Sequence, residues 1–253
     1  MGYRLQKIYI NKKERRKMDK RVVNEEVRQD THMTNNVVHL TGVVTEEFTE
    51  NHDMFGEKFL LSTLKVTRLS KTDDYIPILV SERLMDSNRN YVGKRVEIEG
   101  SYRSYNKHTD TGSRLILNVF ANTFKELEGD TTDNDDVNEI KLTGFICKKP
   151  SLRKTPFGRW ISDVLIAVNR SYGKSDYIPT IHWSRNAHWI SERNIGDKIE
   201  IVGRIQCREY YKTIVNDDGT DNKVKRLAYE VSVSTVKLLS EARVNNKEKE
   251  AGH

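Results

Sequence analysis

One ordered set of short blocks occurs twice along the chain, and this repetition constrains the fold more tightly than any other feature. Asn36-Val-Val-His-Leu-Thr-Gly42 returns as Asn138-Glu-Ile-Lys-Leu-Thr-Gly144, 102 residues later. Phe55-Gly56 returns as Phe157-Gly158, and Asp74-Tyr-Ile-Pro77 as Asp176-Tyr-Ile-Pro179, at the same offset. Gly93-Lys-Arg-Val-Glu-Ile-Glu-Gly100 returns as Gly196-Asp-Lys-Ile-Glu-Ile-Val-Gly203, displaced by one further residue. Four blocks in one order describe one fold present twice. The 253 residues suffice for two domains of about 100 residues each.

Each copy reads as strands around one short helix. In the second, Ile140–Ile146 alternates and runs into a loop holding Pro150, Pro156 and Gly158. Trp160, Val164, Ile166 and Val168 share one parity, which predicts a long strand with Trp160 on its core face. Tyr177–Trp183 forms a third strand, Ser184 caps a short helix reaching about Glu192, and Trp189 on that helix packs over the barrel end. Lys198–Tyr211 and Leu227–Leu238 follow, joined through Asn216-Asp-Asp-Gly219, whose Asp-Gly pair supplies positive-φ turn positions. In the first copy Ser81 opens the helix and Asp110-Thr-Gly112 makes the last hairpin. This order predicts an all-β chain of two tandem OB-fold five-stranded barrels, each with one short helix.

The expected divisions are a basic, flexible arm over 1–34, barrel one over 35–127, an acidic linker over 128–137, barrel two over 138–240 and a short polar tail over 241–253. Met33 stands just before the first strand and is an alternative translation start, which an intact mass of the natural product would decide. Charge follows these divisions. Residues 138–240 hold 18 Lys and Arg against 11 Asp and Glu, whereas 36–127 hold 12 against 13 and the linker holds five acids and no base. Positive charge gathered on one domain is the footprint of a polyanionic partner. A hydrophobic content of 36% beside 32% charged residues suits small barrels with thin cores. No apolar run reaches the ~18 residues of a membrane span, so a soluble, cytoplasmic protein is expected. Cys147 and Cys207 lack metal-binding spacing and read as reduced thiols.

The second copy resembles the bacterial single-stranded DNA-binding protein (SSB) family over roughly 138–240. The resemblance rests on Asn138–Gly144, Pro150, Phe157-Gly158, Val168-Asn-Arg-Ser-Tyr172, Asp176-Tyr-Ile-Pro-Thr-Ile-His-Trp183, Gly196–Gly203 and Arg208-Glu-Tyr210. It implies a sequence-tolerant binder of unpaired DNA in replication, recombination or repair, and a homodimer that reaches four barrels. It also implies that Tyr172, Tyr177, Trp183 and Tyr210 stack on bases. Arg159, Arg170, Lys174, Arg185 and Arg208 lie near enough in sequence to meet phosphates. The first copy departs from the pattern: Ser70 stands opposite Tyr172, and Val80 or Ser81 opposite Trp183. There only Tyr75, with Tyr102 or Tyr105, remains as a stacking candidate, so barrel one is expected to be mainly structural.

Other classes find little support. Gly173-Lys-Ser175 is half a phosphate loop, but Val168 occupies the place of its first glycine. His182 and His188 have no acid or cysteine at metal-ligand spacing and are expected in packing or surface roles. No catalytic residue, metal or cofactor is expected. The tail, Asn245-Asn-Lys-Glu-Lys-Glu-Ala-Gly-His253, lacks the acidic tip by which SSBs recruit replication and repair proteins, which leaves the acidic linker and the N-terminal arm as the alternative places for such partners. Two alternatives share these barrels: a primosome-like accessory protein that docks a replication partner, and a single-stranded RNA binder.

Overall fold

The computed structural model describes residues 34–109, 112–128, 136–215 and 221–242. The expected arm up to residue 33, Asp110 and Thr111 of the first copy's last hairpin, the middle of the linker, the Asn216–Gly219 turn and the tail from 243 lie outside the described residues. The first copy contains β1 (Asn36–Val44), β2 (Thr49–Met54), β3 (Glu57–Thr67), β4 (Asp73–Ser81), a 3-10 turn (Glu82–Leu84), β5 (Arg95–Thr109) and β6 (Gly112–Glu126). The second contains β7 (Asn138–Ile146), β8 (Ser151–Lys154), β9 (Trp160–Asn169), a 3-10 turn (Ser171–Gly173), β10 (Ser175–Trp183), α1 (Ser184–Ser191), β11 (Lys198–Val215) and β12 (Asp221–Ser240).

Each half closes on itself. In the first, β1 pairs β3, β3 pairs β4, β4 pairs β6 in parallel, β6 pairs β5, and β5 returns to β1. The second repeats the ring through β7, β9, β10, β12 and β11, with β10–β12 parallel. Five strands closed with one parallel contact make the OB barrel. Each half also carries one strand more than expected, since β2 and β8 add an outer hairpin arm to β3 and β9. The first copy's expected helix is a single 3-10 turn, which Ser81 Oγ does cap by accepting from the Arg83 N–H at 3.2 Å. Ser184, by contrast, does not cap α1: Trp183 is the N-cap residue, and Ser184 adopts φ 51°.

The repeat offset maps core onto core. Val38 and Ile140, Leu40 and Leu142, Leu64 and Ile166, and Ile76 and Ile178 are matched pairs, and all are at most 1% exposed. Burying each such side chain contributes roughly 1.5–3 kcal/mol. Within its own ring each of β1 and β7 serves two neighbours, passing from one to the other at Gly42 and Gly144. A Cβ there would lie 2.4 Å from the Lys65 carbonyl oxygen or 2.5 Å from that of Ala167. Only glycine permits that approach.

The two barrels join edge to edge through antiparallel β1 and β7, making one 12-stranded sheet. Val38 faces Ile140, its own counterpart, while Asn36 faces Leu142 and Leu40 faces Asn138. This register places a pseudo-two-fold axis between Val38 and Ile140. Repeated polar residues serve the junction. Asp74 binds Arg68 through two 2.6 Å contacts and accepts from the Cys207 N–H of the other barrel. Asp176 binds Arg170 and accepts from the Ser104 N–H at 2.6 Å and from Arg103. Both carboxylates are fully buried, where a charge persists only if paired and hydrogen-bonded. Asp136, at the end of the linker, accepts from the Thr67 N–H and pairs with Arg95.

Candidate nucleic-acid interface

Strand β10 shapes the candidate face. Ile178, Thr180 and His182 point inward and are buried, so Tyr177, Pro179, Ile181 and Trp183 take the outward parity. Tyr177 lies over Cys147, Leu165 and Ala167, an apolar patch on the outer side of the sheet. Trp183, also partly exposed, donates its indole N–H to Ser232 Oγ at 3.0 Å, which fixes the plane of its ring. At the opposite end of β10, Tyr172 occupies the β9–β10 turn at φ 62° and ψ 30°, with 98% of its surface free. A left-handed tyrosine is uncommon and marks a position held by its surroundings. Tyr210 is partly exposed on β11 opposite Arg226, beyond the last β7 contact at Gly203.

The pseudo-two-fold junction brings residues of both barrels to this face. The Tyr177 N–H donates to Ser104 Oγ at 2.7 Å, which sets Tyr105 of barrel one, 45% exposed, on the neighbouring hairpin. Reciprocally, the Tyr75 N–H meets Cys207 Sγ at 3.3 Å, next to Arg208, and the Tyr75 ring is 42% exposed.

Tyr102 is the expectation that the structure overturns. It is fully buried, in the place Ile205 takes in the second barrel, and its backbone pairs with the Asn36 side chain as Ile205 does with Asn138. Its ring fills the core and cannot meet a base. Trp160 is a second correction. Its parity is that of the core, but it begins β9, past the end of the packed interior, and remains 36% exposed. Trp189, as expected, packs against the core beneath α1, with Arg193 over its ring.

The cations divide into two groups. Arg159, Lys174 and Arg185 are exposed and enter no ion pair among the described residues. Arg170 is committed to Asp176 and to the Ser104 carbonyl, and Arg208 to Glu230 at 3.3 Å. Both therefore shape the face more than they offer free charge. Burial pushes the His182 imidazole down to about 4 and the Cys147 thiol up to about 12. Near neutral pH both are uncharged packing groups. Both cysteines are free thiols.

Three exposed rings escaped the sequence reading as binding residues: Phe55 at 99%, Phe157 at 93% and Trp160. The repeated Phe-Gly pairs carried the signal, since Gly56 and Gly158 both take φ +77° and so turn a hairpin tip with the preceding ring outward.

Two closed five-stranded rings with an aromatic, basic outer face define a tandem OB-fold protein. The single-strand binding protein family model matches residues 137–239. Single-stranded DNA-binding protein B of Bacillus subtilis is 30% identical over 109 residues, a match covering 40% of this chain and 89% of that protein. The chain belongs to the single-strand binding protein family. The single-stranded DNA-binding protein of Deinococcus radiodurans is 27% identical over 169 residues, covering 58% of this chain, and the match spans about half of that relative, 53%. The wild-type single-stranded DNA binding protein from Thermus aquaticus superposes with a TM-score of 0.61 at 22% identity, over 83% of this chain and 95% of that one. It has the same fold. Among the described residues no helix is long and apolar enough to cross a membrane.

Proposed function

We propose that the chain binds single-stranded DNA without sequence preference, coating and protecting it during replication, recombination or repair in the cytoplasm, by binding alone and without a catalytic step. The observation that carries this reading is the outward row along β10, with Tyr177 and Trp183 on one parity and Tyr172 free at the turn, on the half of the chain that holds 18 bases against 11 acids. OB-folds of single-strand binding proteins are the general case from which the magnitudes of this mode are taken. In them each base stacked on an aromatic face contributes roughly 1–3 kcal/mol, while nearby cations follow the phosphates. Family membership and the names of the relatives support the choice of ligand. Arg159, Lys174 and Arg185 supply free charge, and Tyr210, Tyr75 and Tyr105 border the path.

Titration of labelled oligo(dT) at rising salt tests the reading. Affinity should fall by about 0.7 log units per log unit of salt for each phosphate neutralised. No binding in dilute buffer, or a preference for duplex, would contradict it. Two chains assembling into a four-barrel homodimer complete the proposal. Light scattering should give about twice the 29.5 kDa of one chain, and a monomer mass would remove this part.

A further inference from the structure

The exposed rings that the sequence reading left out do not lie at random. Trp160 starts β9 opposite Lys154, and the next residue, Ile161, is the partner of Trp183 on β10. The aromatic row from Tyr172 through Tyr177 to Trp183 therefore reaches the rim of the barrel, and Trp160, one residue farther on and of the opposite parity, turns over that rim toward α1. Here the β8–β9 hairpin and α1 come together. His188 on α1 meets the Trp160 ring edge-on at 5.0 Å, and the Lys154 ammonium lies 4.8 Å from its centroid. The hairpin is braced from within: the Thr155 N–H donates to the Arg159 carbonyl at 2.8 Å, and Thr155 Oγ1 accepts from the Arg159 N–H at 3.1 Å. That turn holds Phe157 in solvent, with Arg159 beside it and Arg185 in the first turn of α1, both exposed.

The first barrel supplies an internal comparison. Its β2–β3 hairpin carries Phe55 at the same offset, with the same positive-φ glycine, but Lys58 replaces Trp160 and is tied to Glu50 at 2.8 Å. Asp53 and Glu57 flank that tip, and Asp53 accepts from the Gly56 N–H. One hairpin is a ring among acids; the other is two rings among cations. An exposed indole braced by a helix, with Lys154, Arg159 and Arg185 on the elements around it, matches the chemistry of a base with its phosphates.

We propose that Trp160, with Phe157 beside it, forms an additional base-stacking subsite that continues the strand path past Trp183 over the β8–β9 hairpin. In it the Trp160 face takes a base, and Lys154 moves from the ring to the adjoining phosphate. The inference rests on the proposed binding of single-stranded DNA and extends it. The first barrel's hairpin takes no part.

Graded oligo(dT) from about 4 to about 16 nucleotides, the range one OB barrel occludes, tests this on the full chain. Trp160→Ala and Phe157→Ala should match the unaltered protein on the shortest strands and bind the longest about tenfold more weakly. Trp160→Phe should recover most of the loss, and Phe55→Ala should stay within twofold at every length. Should Trp160→Ala fold poorly by circular dichroism, Phe157→Ala, which alters only an exposed ring, still decides. Equal affinities of both alanine variants and the unaltered chain at every length would overturn the subsite and leave the proposed function standing. Failure of the unaltered chain to bind any length would overturn both.

Discussion

Tyr102 and Tyr105 are three residues apart on β5, yet one is fully buried and the other is 45% exposed. At that spacing on one strand they face opposite sides, and Asn36 holds the Tyr102 backbone where that side is the core. The Tyr102 hydroxyl has no hydrogen-bond partner among the described residues, and burial holds its pKa well above the ordinary value. A buried hydroxyl without a partner opposes folding by about 1–3 kcal/mol. Tyr102→Phe should therefore leave stability unchanged or raise it by about 1 kcal/mol, as read from urea melting midpoints. A loss of about 2 kcal/mol or more would show that the hydroxyl has a stabilising contact. At this same scale, Arg170 illustrates why a basic residue near a binding face is not by itself a phosphate contact. Its guanidinium already satisfies a fully buried carboxylate, and releasing it would leave that charge to Arg103 and the Ser104 N–H alone.

Among the elements, period-two alternation and turn residues predicted the barrel strands of the second copy, and the repeat carried the same order to the first. The repeat offset matched β1 with β7, while Tyr177 and Trp183 entered only through the family resemblance; their shared outward parity became visible once β10 was placed. What remained hidden depends on contacts far apart in sequence. The β2 and β8 arms are short and solvated, and all of β2 is exposed, so they carry no hydrophobic alternation. Trp160 obeyed the parity of β9 but lies beyond the packed interior, a limit that parity cannot express. The repeated Asp74 and Asp176 were visible as a match. Their purpose, reaching across to the opposite barrel, needed the paired β1 and β7 strands to be seen.

Across the whole molecule, a symmetric frame carries an asymmetric charge. The pseudo-two-fold register makes Tyr75 the structural twin of Tyr177, each beside the other barrel's long hairpin. Yet barrel two holds seven more bases than acids, and barrel one holds one more acid than bases. Barrel one also has Ser70 and Ser81 or Val80 where barrel two has Tyr172 and Trp183. On this account the first barrel orients the second and lends it the edge that bears Tyr105, while stacking and charge act together on the second. The most direct measurement is oligo(dT) affinity in low salt for Trp183→Ala beside Tyr75→Ala. Loss of one stacked base corresponds to about tenfold weaker binding. Trp183→Ala should show at least that loss, with Tyr75→Ala within about threefold of the unaltered chain. Equal losses in the two variants would contradict the account.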